Sequence, residues 1–233
     1  MTMVKKLAIY CGLVLIAAPA VAAPSKSESK RFNEAATVLS EMRAAPDRGI
    51  PEDLWHKAQC VLVIPSLKKA AFVVGGEEGS GVMSCRRANG WSAPIFMRLA
   101  KGSFGLQIGA ESIDLVLLVM NQEGADKLLR DKVSLGADVA LAAGPVGRSV
   151  NGATDAQLNA EMLAYSRSKG LFAGIDLSGG VLQPDKDADG RTYGYDISAR
   201  DVVEGPPQVA VPAVASPFVH ALTRDVQGTS GRR

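Results

Sequence analysis

The sequence predicts an α+β fold: a twisted, mostly antiparallel β-sheet, or partial barrel, packed by a few short helices. Three observations predict it. The stretch Gly90–Asn121 holds two apolar runs, Ala93–Leu99 and Ile113–Met120, with the length and composition of buried strands. Between them Lys101–Gly109 alternates Phe104, Leu106 and Ile108 with Gly105, Gln107 and Gly109, which is the period-2 signature of a strand. Glycine is abundant, at 24 residues, while aromatic residues make up only 5% of a chain that is 47% hydrophobic. That balance favours close backbone contacts over a helical bundle.

The first 23 residues have the layout of an export signal. Lys5 and Lys6 precede the apolar run Leu7–Ala18, and Ala20-Val21-Ala22 forms an A-x-A cleavage site. The run is short for a membrane span and carries Pro19 near its end. Cys11 lies inside the run and leaves with it. The expected product is exported, periplasmic or secreted, or peripheral on a membrane. Cleavage leaves Cys60 and Cys85 in an oxidising compartment, where an even count favours a disulfide worth roughly 3 kcal/mol. Two buried free thiols are the alternative.

Residues 24–49 form an N-terminal helical segment. Ser29 or Ser27 caps a helix over Lys30–Ala44, in which Phe32, Ala35, Ala36, Leu39 and Met42 make one apolar stripe. Basic Lys26, Lys30, Arg31 and Arg43 surround it. The stripe packs on the sheet or lies on a membrane. The main domain, 50–204, opens with a short helix over Pro51–Ala58. Cys60–Pro65 reads as a strand ended by proline, and Ser66–Lys69 as a turn. Ala70–Gly76 and Gly81–Arg87 read as strands around a Glu77–Ser80 hairpin, followed by a turn at Asn89-Gly90. Beyond the central stretch, Asn121 caps a helix through Val133. Leu135–Ala143 alternates as a strand, and Met162–Arg167 pairs with Leu171–Leu177 around Ser168-Lys169-Gly170. Residues 205–233 are an extended segment with a short helix from Ser216-Pro217.

The residue inventory argues against several functions. Without Lys5 and Lys6 the chain carries 24 basic and 24 acidic residues, so nothing in its composition points to nucleic acid. Gly75, Gly76, Gly79 and Gly81 sit between strands and lead into no Gly-Lys-Ser/Thr, which removes a phosphate loop. His56 and His220 stand in helices without a neighbouring acid or nucleophile, and no hydrolase or metalloprotease motif is present. Asp114 is an acid in an apolar strand, explained by edge placement. Asp185, Asp187 and Asp189, with Gly190 and with Asp196 at the twelfth position, match the start of a calcium loop, although position twelve there is normally glutamate. Lys68, Lys69, Arg86, Arg87, Arg98 and Lys101 fall in or near turns of consecutive strands. They form either a solvated rim or a patch for an anionic surface, where each basic residue contributes roughly 1 kcal/mol.

The order of blocks resembles the SYLF-domain family of lipid-binding proteins. The blocks are Cys60–Pro65, Gly90–Pro94, Gly102–Gly109, Leu135–Asp138, Ala142–Gly147, Tyr165–Gly174 and Tyr193-Gly194, and the resemblance runs from about Ile50 to Gly194. It implies binding of phosphoinositides and other anionic lipids, with membrane contact through an N-terminal amphipathic segment, here Lys30–Ala44, and basic residues. Eukaryotic members act at membranes and on actin, often joined to SH3 or FYVE modules. In a bacterial envelope, phosphatidylglycerol or cardiolipin would be the anionic lipid. The expectation is therefore non-catalytic binding of anionic phospholipid, with those six basic residues as headgroup contacts, no particular protein partner and no cofactor. A calcium-dependent structural or protein-interaction module is the alternative, with Asp185, Asp187, Asp189 and Asp196 as ligands.

Overall fold

The computed structural model describes residues 24–44, 49–71, 74–104, 109–130, 132–145, 157, 159–168, 171–173, 177–206 and 208–223. The expected leader 1–23, the alternating residues 105–108, the Ser168–Gly170 turn beyond Ser168 and the C-terminal tail 224–233 lie outside them.

Helix α1 spans Lys26–Arg43 and starts four residues before its expected position. Its cap is Ser25, not Ser27 or Ser29. The Ser25 hydroxyl accepts from the Glu28 N–H, and the Glu28 carboxylate accepts from the Ser25 N–H, a reciprocal capping box. The stripe packs on the sheet: Phe32, Ala35, Val38, Leu39 and Met42 are buried, and Phe32 meets Phe96 with ring centroids 4.9 Å apart. Helix α2, Glu52–Lys57, follows with Trp55 buried. Arg43 ties the two together, with its guanidinium 4.3 Å over the Trp55 ring and 2.9 Å from Glu52.

Among the described residues ten strands follow: β1 Cys60–Ala71, β2 Val74–Arg87, β3 Gly90–Trp91, β4 Ile95–Phe104, β5 Gly109–Val119, β6 Val133–Ser134, β7 Leu141–Ala143, β8 Met162–Ser168, β9 Leu171–Ala173 and β10 Val181–Pro184. Their order is β6-β10-β4-β2-β1-β5-β8-β7, with β3 beside β2 and β9 beside β8. Every ladder is antiparallel except β7 with β8. The α+β reading, with a mostly antiparallel sheet, holds.

Two local expectations fail here for one reason. β1 does not stop at Pro65, and Glu77–Ser80 is no hairpin but the middle of β2. Between Ile64 and Leu67 the pairing with β5 shifts by one residue, a β-bulge. Proline is admissible at such a site because no ladder hydrogen bond is asked of it. Ser66 takes φ 55° and donates its N–H to Asp114 Oδ1 at 3.1 Å. Asp114 is therefore not an edge residue. It lies in β5, between β1 and β8, and holds the bulge while accepting from Arg167 at 2.9 Å. The extra residue exchanges the two faces of β1. Cys60, Leu62 and Ile64 point to one face and Val61 and Val63 to the other, yet Leu67 rejoins the first set.

Both faces are covered. Helices α3, Gln122–Leu128, and α5, Ala199–Glu204, close the first, burying Leu128, Val202 and Val203. Helices α1, α2 and α6, Ser216–Thr223, close the second, joined by Ala188 of α4, Lys186–Tyr193. Asn121 caps α3 as expected, but the helix ends at Leu128, and Val133 belongs to β6 instead. Of Leu135–Ala143 only the last three residues form a strand. The Asp138 carboxylate accepts the Ser134 N–H at 2.7 Å and folds the preceding residues into a turn. Helices α4 and α5 were not expected. Among the described residues no helix is long and apolar enough to cross a membrane.

Candidate functional site

Past the bulge, β2 and β4 pair through small residues. Gly76 faces Gly102, and Ala100 faces Glu78. A Cβ built on Gly102 meets nothing within 4 Å, and one on Gly76 meets only the Lys101 carbonyl at 3.5 Å. The sheet surface here is bare backbone, and α1 stands over it without filling it. The result is a cleft of about 1150 Å³. Ser27, Lys30, Arg31 and Glu34 form its helical wall, and Lys68 and Lys132 stand at its rims.

The charges lining the cleft are in two conditions. Lys30 pairs with Glu34 at 3.4 Å, and Arg31 lies 3.5 Å from Asp185 and 5.2 Å from the centroid of the Phe96 ring. Lys68, Lys132 and Glu78 have no ion pair among the described residues, and all three are exposed. Oriented lysines at the rim of a concave surface attract anions where no ion pair, here among the described residues, neutralises them. This is what the arrangement can do chemically: seat a phosphate-bearing group between Lys68 and Lys132, above the glycine floor.

The six basic residues expected to act together are divided by the fold. Lys101, directly opposed to Glu77 in the ladder, borders the cleft from the other face of the sheet, while Lys68 lines it. Lys69, one residue on, takes the opposite face and pairs with buried Glu77 at 3.3 Å. Arg98 points along the sheet to Asp185, Nε to Oδ2 at 2.9 Å, and that hydrogen bond raises its affinity for the proton further. It borders a smaller cavity of about 320 Å³ next to the cleft. Arg86 and Arg87 belong to the far end of β2. Arg86 lies 4.5 Å over Trp91 and donates to the Ala58 and Trp55 carbonyls at 2.9 and 3.0 Å, while Arg87 donates to the Val203 carbonyl at 2.7 Å. Those two arginines complete backbone hydrogen bonding and offer little charge to a ligand. Lys30 and Arg31 stood out in the sequence only as basic residues around a helical stripe. Lys132 had no signal at all, because β6 reaches the cleft only through its pairing with β10.

The calcium loop does not assemble. Asp185 is the N-cap of α4, accepting the Ala188 N–H at 3.2 Å, and its other oxygen is held by Arg98 and Arg31. Asp189 is buried on the same helix, where its Oδ1 accepts the Phe96 N–H at 2.8 Å. Asp187 and Asp196 are exposed. Helix formation directs these carboxylates away from a common centre, and among the described residues no three His, Cys, Asp or Glu side chains are grouped to hold a metal. Cys60 and Cys85 are joined, as a directly opposed pair on β1 and β2.

Comparison with known proteins decides the family. The profile of the Ysc84 family, described as Las17-binding protein actin regulator, matches residues 100–225. An SH3 domain-containing protein of Schizosaccharomyces pombe, PJ696.02, is 34% identical over 207 residues, covering 86% of this chain. The chain belongs to the Ysc84, or SYLF-domain, family. Other members similar to it include LAS seventeen-binding protein 3 of Saccharomyces cerevisiae, 32% identical over 84% of this chain, and human SH3 domain-containing YSC84-like protein 1, 34% identical over 77%. This chain spans about half the length of these Ysc84 relatives: 47%, 44% and 54% in the same order.

Proposed function

We propose that the cleft binds the phosphate-bearing headgroup of an anionic phospholipid, and that the protein is an exported, non-catalytic lipid-binding member of the Ysc84 family acting at the envelope. One observation carries the reading: Lys68 and Lys132, without an ion pair among the described residues, stand at the rims of a cleft whose floor is glycine backbone. A headgroup fits such a floor because phosphate oxygens approach backbone closely only where no Cβ intervenes. The leader-like residues 1–23 support the location. Lys30 and Arg31 enlarge the positive wall, and each basic residue near an anionic surface adds roughly 1 kcal/mol.

The test is flotation of the purified chain with vesicles of phosphatidylglycerol in phosphatidylcholine, against phosphatidylcholine alone. Binding is expected to anionic vesicles only, to fade with salt, and to fall when Lys68 and Lys132 are both changed to Glu. Unchanged flotation of that double variant would remove the cleft from the mechanism. A second reading, a protein partner of the kind named in the Las17-binding relatives, is supported by the family match. It gains ground if the chain ignores every vesicle.

A further inference from the structure

Behind the helical wall of the cleft lies a group of buried charges that headgroup binding leaves unexplained. Arg31, Asp185 and Asp189 meet where α1, β4 and α4 converge. Asp189 is 3% exposed, and its Oδ2 has no hydrogen-bond partner. Arg31 matches it: Nη1 is buried without a hydrogen bond, although Asp185 Oδ2 lies 3.5 Å away. Buried polar atoms are nearly always satisfied. An orphaned guanidinium nitrogen and an orphaned carboxyl oxygen in one cluster therefore mark a place with two electrostatic states. The groups facing Asp189 are few. From its own helix come Asp185 and the Tyr193 hydroxyl, from α1 comes Arg31, and from β4 come the Phe96 N–H and, across Asp185, Arg98. Glu28 and Arg191, nearby, are paired with each other.

We propose that Asp189 is a proton-dependent competitor for Arg31, so that the cleft holds its anionic ligand more tightly at mildly acid pH than at alkaline pH. This rests on the reading of the cleft as an anionic-headgroup site and adds its regulation. When Asp189 is neutral, Arg31 shares only Asp185, which Arg98 already satisfies at 2.9 Å. The Arg31 charge is then available to the cleft that it lines. When Asp189 ionises, its free oxygen engages the orphaned Nη1, cancels that charge and draws the guanidinium away from the ligand. The reverse also holds: a bound anion raises the proton affinity of Asp189. Burial pushes the Asp189 carboxyl up to about 7, the Phe96 N–H and Arg31 opposing the rise and Asp185 adding to it, which puts the transition within the neutral range.

The experiment compares wild type, Asp189→Asn and Arg31→Gln in flotation with phosphatidylglycerol-containing vesicles from about pH 5.5 to about pH 8.5. The phosphodiester keeps its charge across this range. Wild-type affinity is expected to fall roughly fivefold or more as pH rises, the lower end of usual coupling strengths. Asp189→Asn should hold the tight value throughout, and Arg31→Gln should bind weakly without that fall. Any titration common to all three proteins cancels in the comparison. A wild type with a flat profile, or an Asp189→Asn variant that follows the wild-type slope, overturns the switch while leaving the lipid reading intact. No flotation at any pH overturns the lipid reading itself, and the switch falls with it. Thermal melts guard against a misfolded variant and test the proton directly. The native carboxyl sits above its unfolded value near 3.9, so the native state holds the extra proton and wild-type stability is lost as pH rises from about 4 to about 7. Asp189→Asn lacks this loss, so its advantage in Tm should widen through that window. A gap that stays constant shows that Asp189 is already ionised and overturns the proposal.

Discussion

The two ends of the β1–β2 ladder are made from the same pair of strands and behave as opposites. At one end Cys60 is bonded to Cys85, and Arg86 and Arg87 are bound to backbone carbonyls. Gly81 is pressed so closely on β1 that a Cβ would stand 2.1 Å from the Val63 carbonyl oxygen. At the other end Gly76 and Gly102 meet almost nothing, and Lys68 has no ion pair among the described residues. Glycine and cationic residues are common to both ends. What differs is whether their surroundings are filled. Glycine in a filled place permits packing, and in an empty one it leaves room for a ligand. A cation next to free carbonyls serves the fold, and one at the rim of a cleft is available to a partner.

Substitutions can break this contrast or sharpen it. The largest effect is expected from Gly81→Ala, because the added methyl meets backbone that cannot move aside. A loss of about 3 kcal/mol or more should appear in urea unfolding. Removing the disulfide with Cys60→Ala and Cys85→Ala should cost about 3 kcal/mol, and reduction of the wild type should reproduce the shift. Arg86→Ala leaves two carbonyls short of a donor, with about 1–2 kcal/mol lost by the same measurement and vesicle binding untouched. Gly102→Leu is expected to change stability by no more than about 0.5 kcal/mol while occupying the cleft and abolishing flotation. Should Gly102→Leu unfold the protein as readily as Gly81→Ala, the two ends would not differ in the way described.

Much of this was legible in the chain. Long apolar runs such as Ile113–Val119 announce central strands because burial on both faces requires them. The stripe of α1, the Asn121 cap and the Ser216-Pro217 start of α6 also stood out, since each depends on neighbours close in sequence. The glycines of β2 misled. Gly75, Gly76, Gly79 and Gly81 suggest a turn, yet they serve close approach and an open floor, and only the partner strand distinguishes these uses. Helix α5 is six residues long and carried one overlooked signal, the Ser198–Asp201 capping box. The cleft itself was the least legible feature. Its lysines come from α1, from β1 and from the residue before β6, and spacing along the chain says nothing of which face a lysine takes after a bulge.

That bulge also decides what kind of change the protein tolerates. Because Pro65 and Ser66 together add one residue to β1, Leu67 reaches the core and Lys68 the cleft. Deleting one of the two would restore plain alternation from Ile64 and leave both side chains on their faces, with the Ser66–Asp114 hydrogen bond as the loss. Inserting one residue more would send the leucine to the cleft side and the lysine into the apolar layer in one step. In this segment the number of residues matters more than their identity.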